Sequence, residues 1–113
     1  MFVLRLVLVV HLALLTAYTA IVIGNHGWDL MPVFFGDMAA LTWPGQFNLD
    51  FSGFLMVSAL WTAWRNSFSP LGLLLAVVAF FGGMMFLSAY VLILSLNALG
   101  IEDILLGSAR HYA

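Results

Sequence analysis

Residues 71–96 read LGLLLAVVAFFGGMMFLSAYVLILSL, and their only polar side chains are Ser88, Tyr90 and Ser95. A hydrocarbon core about 30 Å thick needs roughly 20 helical residues to cross it. This run exceeds that length without a single charge, so it predicts a transmembrane helix. Pro70 opens it, because proline is tolerated in the first turn of a helix, where its missing N–H costs nothing. The run is continuously apolar instead of alternating, which argues against a transmembrane barrel.

Two weaker runs lie upstream. One extends from Phe2 to Ile23, interrupted by Arg5, His11, Thr16, Tyr18 and Thr19. A cleaved signal peptide is the rival reading of that stretch. Around Tyr18-Thr19-Ala20, however, a tyrosine occupies a place where a small residue is wanted, so an uncleaved helix is favoured. The other run, from Phe47 to Trp64, is the shortest and carries Asn48, Asp50, Ser52, Ser58 and Thr62. The tight connection Arg65-Asn66-Ser67-Phe68-Ser69-Pro70 joins it to the third helix.

The segment from Gly24 to Gln46 is too long for a turn and too apolar for a solvated loop. Phe34, Met38 and Leu41 share one helical face, while Asp37 and Ala40 lie on another. This predicts a short helix over about 30–43 lying in the interface plane, with Trp28 and Trp43 at headgroup level and Pro44 ending it. A re-entrant loop is disfavoured, since Asp29 and Asp37 would have to leave water. Beyond Gly100, residues 101–106 are expected to form one or two amphipathic turns with Glu102 and Asp103 on the wet side. The last residues, from Gly107 to Ala113, are expected to be loose. The reading is an all-α integral membrane protein with a single domain over 1–113. Its three transmembrane helices cover about 2–23, 47–64 and 71–96, with an interfacial helix between the first and second.

Composition agrees. Of 113 residues, 65% are apolar and 7% charged, against about 45–50% and about 25% in soluble domains. Too few charges exist to cover a soluble surface, which excludes an ordinary cytosolic enzyme, a nucleic-acid binder and a disordered tail. Zero cysteines exclude disulfides, thiolate nucleophiles and cysteine-ligated metals. The formal net charge of −2 leaves no polybasic patch for anionic lipid. Arg5 precedes the first helix and Arg65 follows the second, whereas Arg110 falls beyond the third. Two cations against one place the N-terminus in the cytoplasm and the C-terminus outside.

Small residues are spaced to let helices approach. Ala13, Ala17, Ala20 and Gly24 form one row, and Gly72, Ala76, Ala79 and Gly83 another. The middle helix is expected to meet the first row through Phe51 and Phe54 and the second through Trp61. Gly82-Gly83 reads as close helix contact, or alternatively as a flex point or a place for a flat cofactor ring.

Few residues offer chemistry. Asp50 is expected near the start of the second helix. There either it or Asn48 caps the helix, or it faces inward and meets Tyr18, Tyr90 or Asn97 to bind a cation or relay a proton. His11 is the only histidine within a helix and has Tyr18 seven residues on. It reads as a neutral imidazole hydrogen-bonded between helices, or as an axial ligand for haem or chlorophyll. A second imidazole would then have to come from another copy. Asp29 and Asp37 read as the wet face of the interfacial helix, with a divalent-ion site as the alternative. No metal site, serine triad or phosphate loop is expected.

An aromatic–Asp element opens the second helix and tryptophans end it, the residues being Trp43, Phe47, Asp50, Phe51, Trp61, Trp64 and Arg65. With the apolar first helix and aromatic connection, the chain resembles small bacterial multi-pass membrane proteins of domain-of-unknown-function families with three helices. The resemblance implies a bacterial inner-membrane protein and brings no activity with it. Taken together, the residues predict a non-enzymatic accessory or helix-packing subunit whose partners are the lipid bilayer and other membrane subunits, or a second copy. A cofactor-binding subunit using His11 and a small transporter using Asp50 are the alternatives.

Overall fold

The computed structural model describes residues 1–107; Arg110, His111 and most of the expected loose C-terminal tail lie outside the described residues. The described chain is all-helical: α1 (Phe2–His26), α2 (Leu30–Ala39), α3 (Trp43–Arg65), α4 (Pro70–Asn97) and α5 (Ile101–Leu106). By length and composition, α1 and α4 are long and apolar enough to cross a membrane.

Local chemistry sets the ends. Ser69 caps α4 by accepting the Gly72 N–H at 3.1 Å, with Pro70 in the first turn. Gly27 stops α1 at φ 77°, a conformation that favours glycine, and its N–H donates to the Ile23 carbonyl at 2.8 Å. Pro44 does not end the preceding segment, as the sequence implied. It sits in the first turn of α3, whose extended N-cap is Thr42, so α3 starts at Trp43 and not at Phe47.

The expected third span is not straight. Gly83 adopts φ 58°, ψ −140° and breaks α4 into arms 70–82 and 84–97, each about 20 Å long at 1.5 Å per residue. The arms fold back on each other, and Asn66 demonstrates it. Its Cβ lies 2.6 Å from where a Gly72 Cβ would be, while its Nδ2 donates to the Tyr90 hydroxyl at 2.9 Å. In a straight helix Gly72 and Tyr90 would stand about 27 Å apart, which one asparagine and one tyrosine side chain do not bridge. Gly82-Gly83 is therefore a hairpin bend, seated against Phe51 and Leu55 of α3.

The returning arm brings the C-terminal segment back to where α4 began. Arg5 donates through Nε to Ser95 Oγ (3.1 Å) and through Nη2 to the Ser95 carbonyl (2.6 Å). Arg65 donates to the carbonyls of Ile104 (2.6 Å) and Asp103 (3.1 Å), and Trp61 Nε1 to that of Leu105 (3.0 Å). Both arginines, the 66–69 connection and α5 thus share one end of the molecule. The three-span reading placed the start and the end of the chain at opposite ends, whereas these contacts bring residues near both to one end of the molecule.

The short helix expected over about 30–43 is present as α2, ending at Ala39, and it packs on α3. Asn48 Nδ2 donates to the Phe34 carbonyl at 3.1 Å, and Gly45 abuts the backbone at Asp37 and Met38. Position pairs 34/48 and 37/45 share one sum, the signature of an antiparallel helical hairpin. Hence α2 doubles back along the first turns of α3. The positive φ of Leu41 (56°) makes the short turn between them. Within the bundle, α4 lies between α1 and α3, which scarcely touch.

The interior is small and mixed: Leu8, Ala63, Ala79 and Ile104 are buried beside Thr62, Ser88, Ser95 and Asp103. The largest fully buried side chains are Thr62, Ser88 and Ser95, whereas Phe2, Leu14, Trp28, Phe47, Phe54 and Phe81 are among many large apolar residues facing outward.

Candidate functional site

Polar groups gather along a seam between α3 and the α4 hairpin. Ser58, Thr62 and Asn66 recur every fourth residue and so line one face of α3. Thr62 Oγ1 donates to the Ser58 carbonyl (2.8 Å), and Asn66 Nδ2 donates to the Thr62 carbonyl (2.8 Å) as well as to Tyr90. Tyr90 stacks on Phe86 with ring centroids 5.3 Å apart and meets Trp61 edge-on at 6.0 Å. These contacts orient the tyrosine hydroxyl toward Asn66.

Ser88 and Ser95 are seven residues apart on the returning arm and are both fully buried. Ser95 is satisfied by Arg5 and by donating to the Leu92 carbonyl (2.7 Å). Ser58 Oγ and Ser88 Oγ are buried without a hydrogen-bond partner among the described residues. At the foot of the seam, Asp103 is buried. Its Oδ2 accepts the Leu99 N–H at 2.8 Å and its Oδ1 has no partner among the described residues. Arg65 and Trp61 together take three consecutive carbonyls of α5, those of Asp103, Ile104 and Leu105, so α5 is held to α3 through backbone acceptors of its last turns.

The seam can bind helices together. It offers no nucleophile next to a base and no pair of carboxylates, and among the described residues no three His, Asp or Glu side chains are grouped to hold a metal ion.

The residues singled out from sequence are scattered. Asp50 lies in the third turn of α3, beyond the reach of a cap, and is exposed; Asn48 is spent on Phe34 and does not cap either. Tyr18 is 71% exposed on α1, while Tyr90 is held at the Arg65 end. Along α3, Asp50 stands about 16 Å from Trp61, the neighbour of Tyr90. The pocket of Asp50 with Tyr18, Tyr90 and Asn97 is therefore not assembled. His11 is exposed and makes no hydrogen bond among the described residues. On this open flank it offers a haem or chlorophyll metal one axial bond and no enclosing walls. Two open, shallow hollows lie on the surface, one at Leu41, Thr42, Trp43 and Gln46 and the other at Val57, Leu60, Trp61, Trp64 and Phe68. Neither includes His11, Tyr18 or Asp50.

The two small-residue rows part company. Gly72 and Ala79 are buried, Ala76 is half-buried, and Gly83 meets Phe51 and Leu55. Phe51 thus packs on the second row and not the first, and Phe54 is 68% exposed. Ala13, Ala17, Ala20 and Gly24 are all exposed, because α1 turns its other face inward, through Leu4, Arg5, Leu8, Leu12, Leu15, Thr19 and Ile23. Sequence reasoning did not single out Thr62, Asn66, Ser88 and Ser95 as positions of this seam, and it placed Asp103 on the wet side of its helix, where the structure buries it. The four-residue spacing of Ser58, Thr62 and Asn66 in an otherwise apolar helix was the available signal.

Comparison with known proteins finds no match: no family model, no curated protein and no solved structure is similar to this chain.

Proposed function

We propose that this chain is a small integral membrane protein, non-enzymatic, acting as an accessory or helix-packing subunit that binds other membrane helices. The membrane setting is supported by the two long apolar helices and by the many large apolar residues that face outward around an interior holding small hydroxyl residues. In this reading Arg5 and Arg65 mark the cytoplasmic face, and the N-terminus is cytoplasmic. The resemblance drawn from sequence makes a bacterial inner membrane the proposed location.

The observation that carries the partner reading is that His11, Tyr18 and Asp50 all project outward from helices without a hydrogen bond among the described residues. An ionised carboxylate at bilayer depth costs about 2.5–3.5 kcal/mol on insertion scales. A donor from a neighbouring helix removes that cost. The unused row Ala13, Ala17, Ala20 and Gly24 gives such a helix a smooth face on α1.

Purification from native membranes in a mild detergent, followed by mass measurement, tests this reading. The expected result is a complex heavier than one chain, weakened by Asp50→Leu or Ala17→Leu. Recovery of the lone monomer under every mild condition overturns it.

A further inference from the structure

We infer that a lipid bilayer covers this molecule so that only α1 and α3 cross it, while α4 enters and leaves through the face marked by Arg5 and Arg65. The inference rests on the membrane reading above and specifies how the chain meets lipid.

Lengths separate the helices into two kinds. From Arg5 to His26 α1 rises about 31 Å, and from Trp43 to Arg65 α3 rises about 33 Å. Both match a hydrocarbon core of about 30 Å in length; α1 matches it in apolarity as well, whereas α3 carries Gln46, Asn48 and Asp50 in its first turns. Each arm of α4 rises only about 20 Å, so neither arm crosses. Irregular backbone at bilayer depth persists only where protein covers it. The bend at Gly83 meets that condition on its α3 side, where a Cβ at that position would lie 3.2 Å from the Phe51 ring and 3.5 Å from Leu55, while Phe81 and Gly82 face outward.

Electrostatics agree. The contacts from Arg5 to Ser95 and from Arg65 to α5 tie both ends of the hairpin to the arginine end. The charged residues Glu102 and Asp103 then stay at that face and do not have to be carried across.

The chain has no cysteine, so single cysteines report cleanly. In sealed vesicles of known orientation, a membrane-impermeant maleimide should label Ser67→Cys and Glu102→Cys from the same face, and Asp29→Cys from the opposite one. Labelling of Ser67→Cys and Glu102→Cys from opposite faces overturns the inference while leaving the membrane reading intact. Loss of the protein to the supernatant after alkaline carbonate washing overturns the membrane reading itself. A second measurement guards against poor expression of any one variant: spin labels at Leu71→Cys and Leu96→Cys in lipid nanodiscs. The hairpin expects a separation of about 20 Å or less, and a straight helix about 37 Å; the longer distance overturns the inference.

Discussion

Asn66 donates to the hydroxyl of Tyr90 at 2.9 Å, and this bond ties the loop after α3 to the returning arm of α4. Tyr90→Phe removes the acceptor and keeps the ring contacts with Phe86 and Trp61. A loss of about 0.5–1 kcal/mol is expected. Tyr90→Ala removes the aromatic packing as well and should cost more, about 3–4 kcal/mol in all. Reversible unfolding in mixed micelles checks both, and equal losses would mean that the rings contribute nothing.

Gly83→Ala should be costly for a different reason. At φ 58° and ψ −140° the backbone occupies a region nearly closed to residues with a Cβ. Such strain costs about 1–3 kcal/mol, and the added methyl also crowds Phe51. Either stability falls by that amount or the hairpin opens, and the spin-label distance between positions 71 and 96 distinguishes the two. Unchanged stability with an unchanged distance would contradict the bend.

Glycines at helix surfaces should behave oppositely according to what surrounds them. At Gly45 a methyl would be driven into the backbone at Asp37 and Met38, so Gly45→Ala should destabilise the α2–α3 hairpin by about 1–3 kcal/mol. At Gly24 nothing lies within 4 Å, so Gly24→Ala should be neutral within one chain or stabilising by up to about 1 kcal/mol. Thermal unfolding of the two variants in the same detergent measures the contrast.

Arg65→Met removes two charge-assisted bonds to the carbonyls of α5. Each such bond contributes about 1.5–3 kcal/mol when well formed, and the half-buried position of Arg65 lowers the expected total to about 2 kcal/mol. Locally, α5 should detach before the rest unfolds. Faster hydrogen exchange at 101–106 with unchanged protection in α3 is the expected readout.

Much of the secondary structure was legible from the order of residues alone. Apolar runs gave α1 and α4, Pro70 gave the start of α4, and Gly100 foretold a short helix beyond it, because these signals are local. The boundary at Trp43 was missed because Pro44 serves equally to close one helix or to open the next, and only the conformation of Thr42 decides between them. Likewise Gly82-Gly83 was noticed as a weak point. Whether it served close contact or a bend depended on Phe51, some thirty positions away.

By itself the sequence determined an all-helical chain too apolar for a watery surface, since composition and run length depend on no distant contact. Tertiary structure alone decided that α4 turns back, that Arg5 and Arg65 share one end, and that α1 turns Leu4, Leu8, Leu12 and Leu15 inward and shows its alanines. Those outcomes depend on long-range bonds, Asn66 to Tyr90 and Arg5 to Ser95 above all. A period of 3.6 residues fixes which side chains share a helix face, and it carries no information about which neighbour that face will meet.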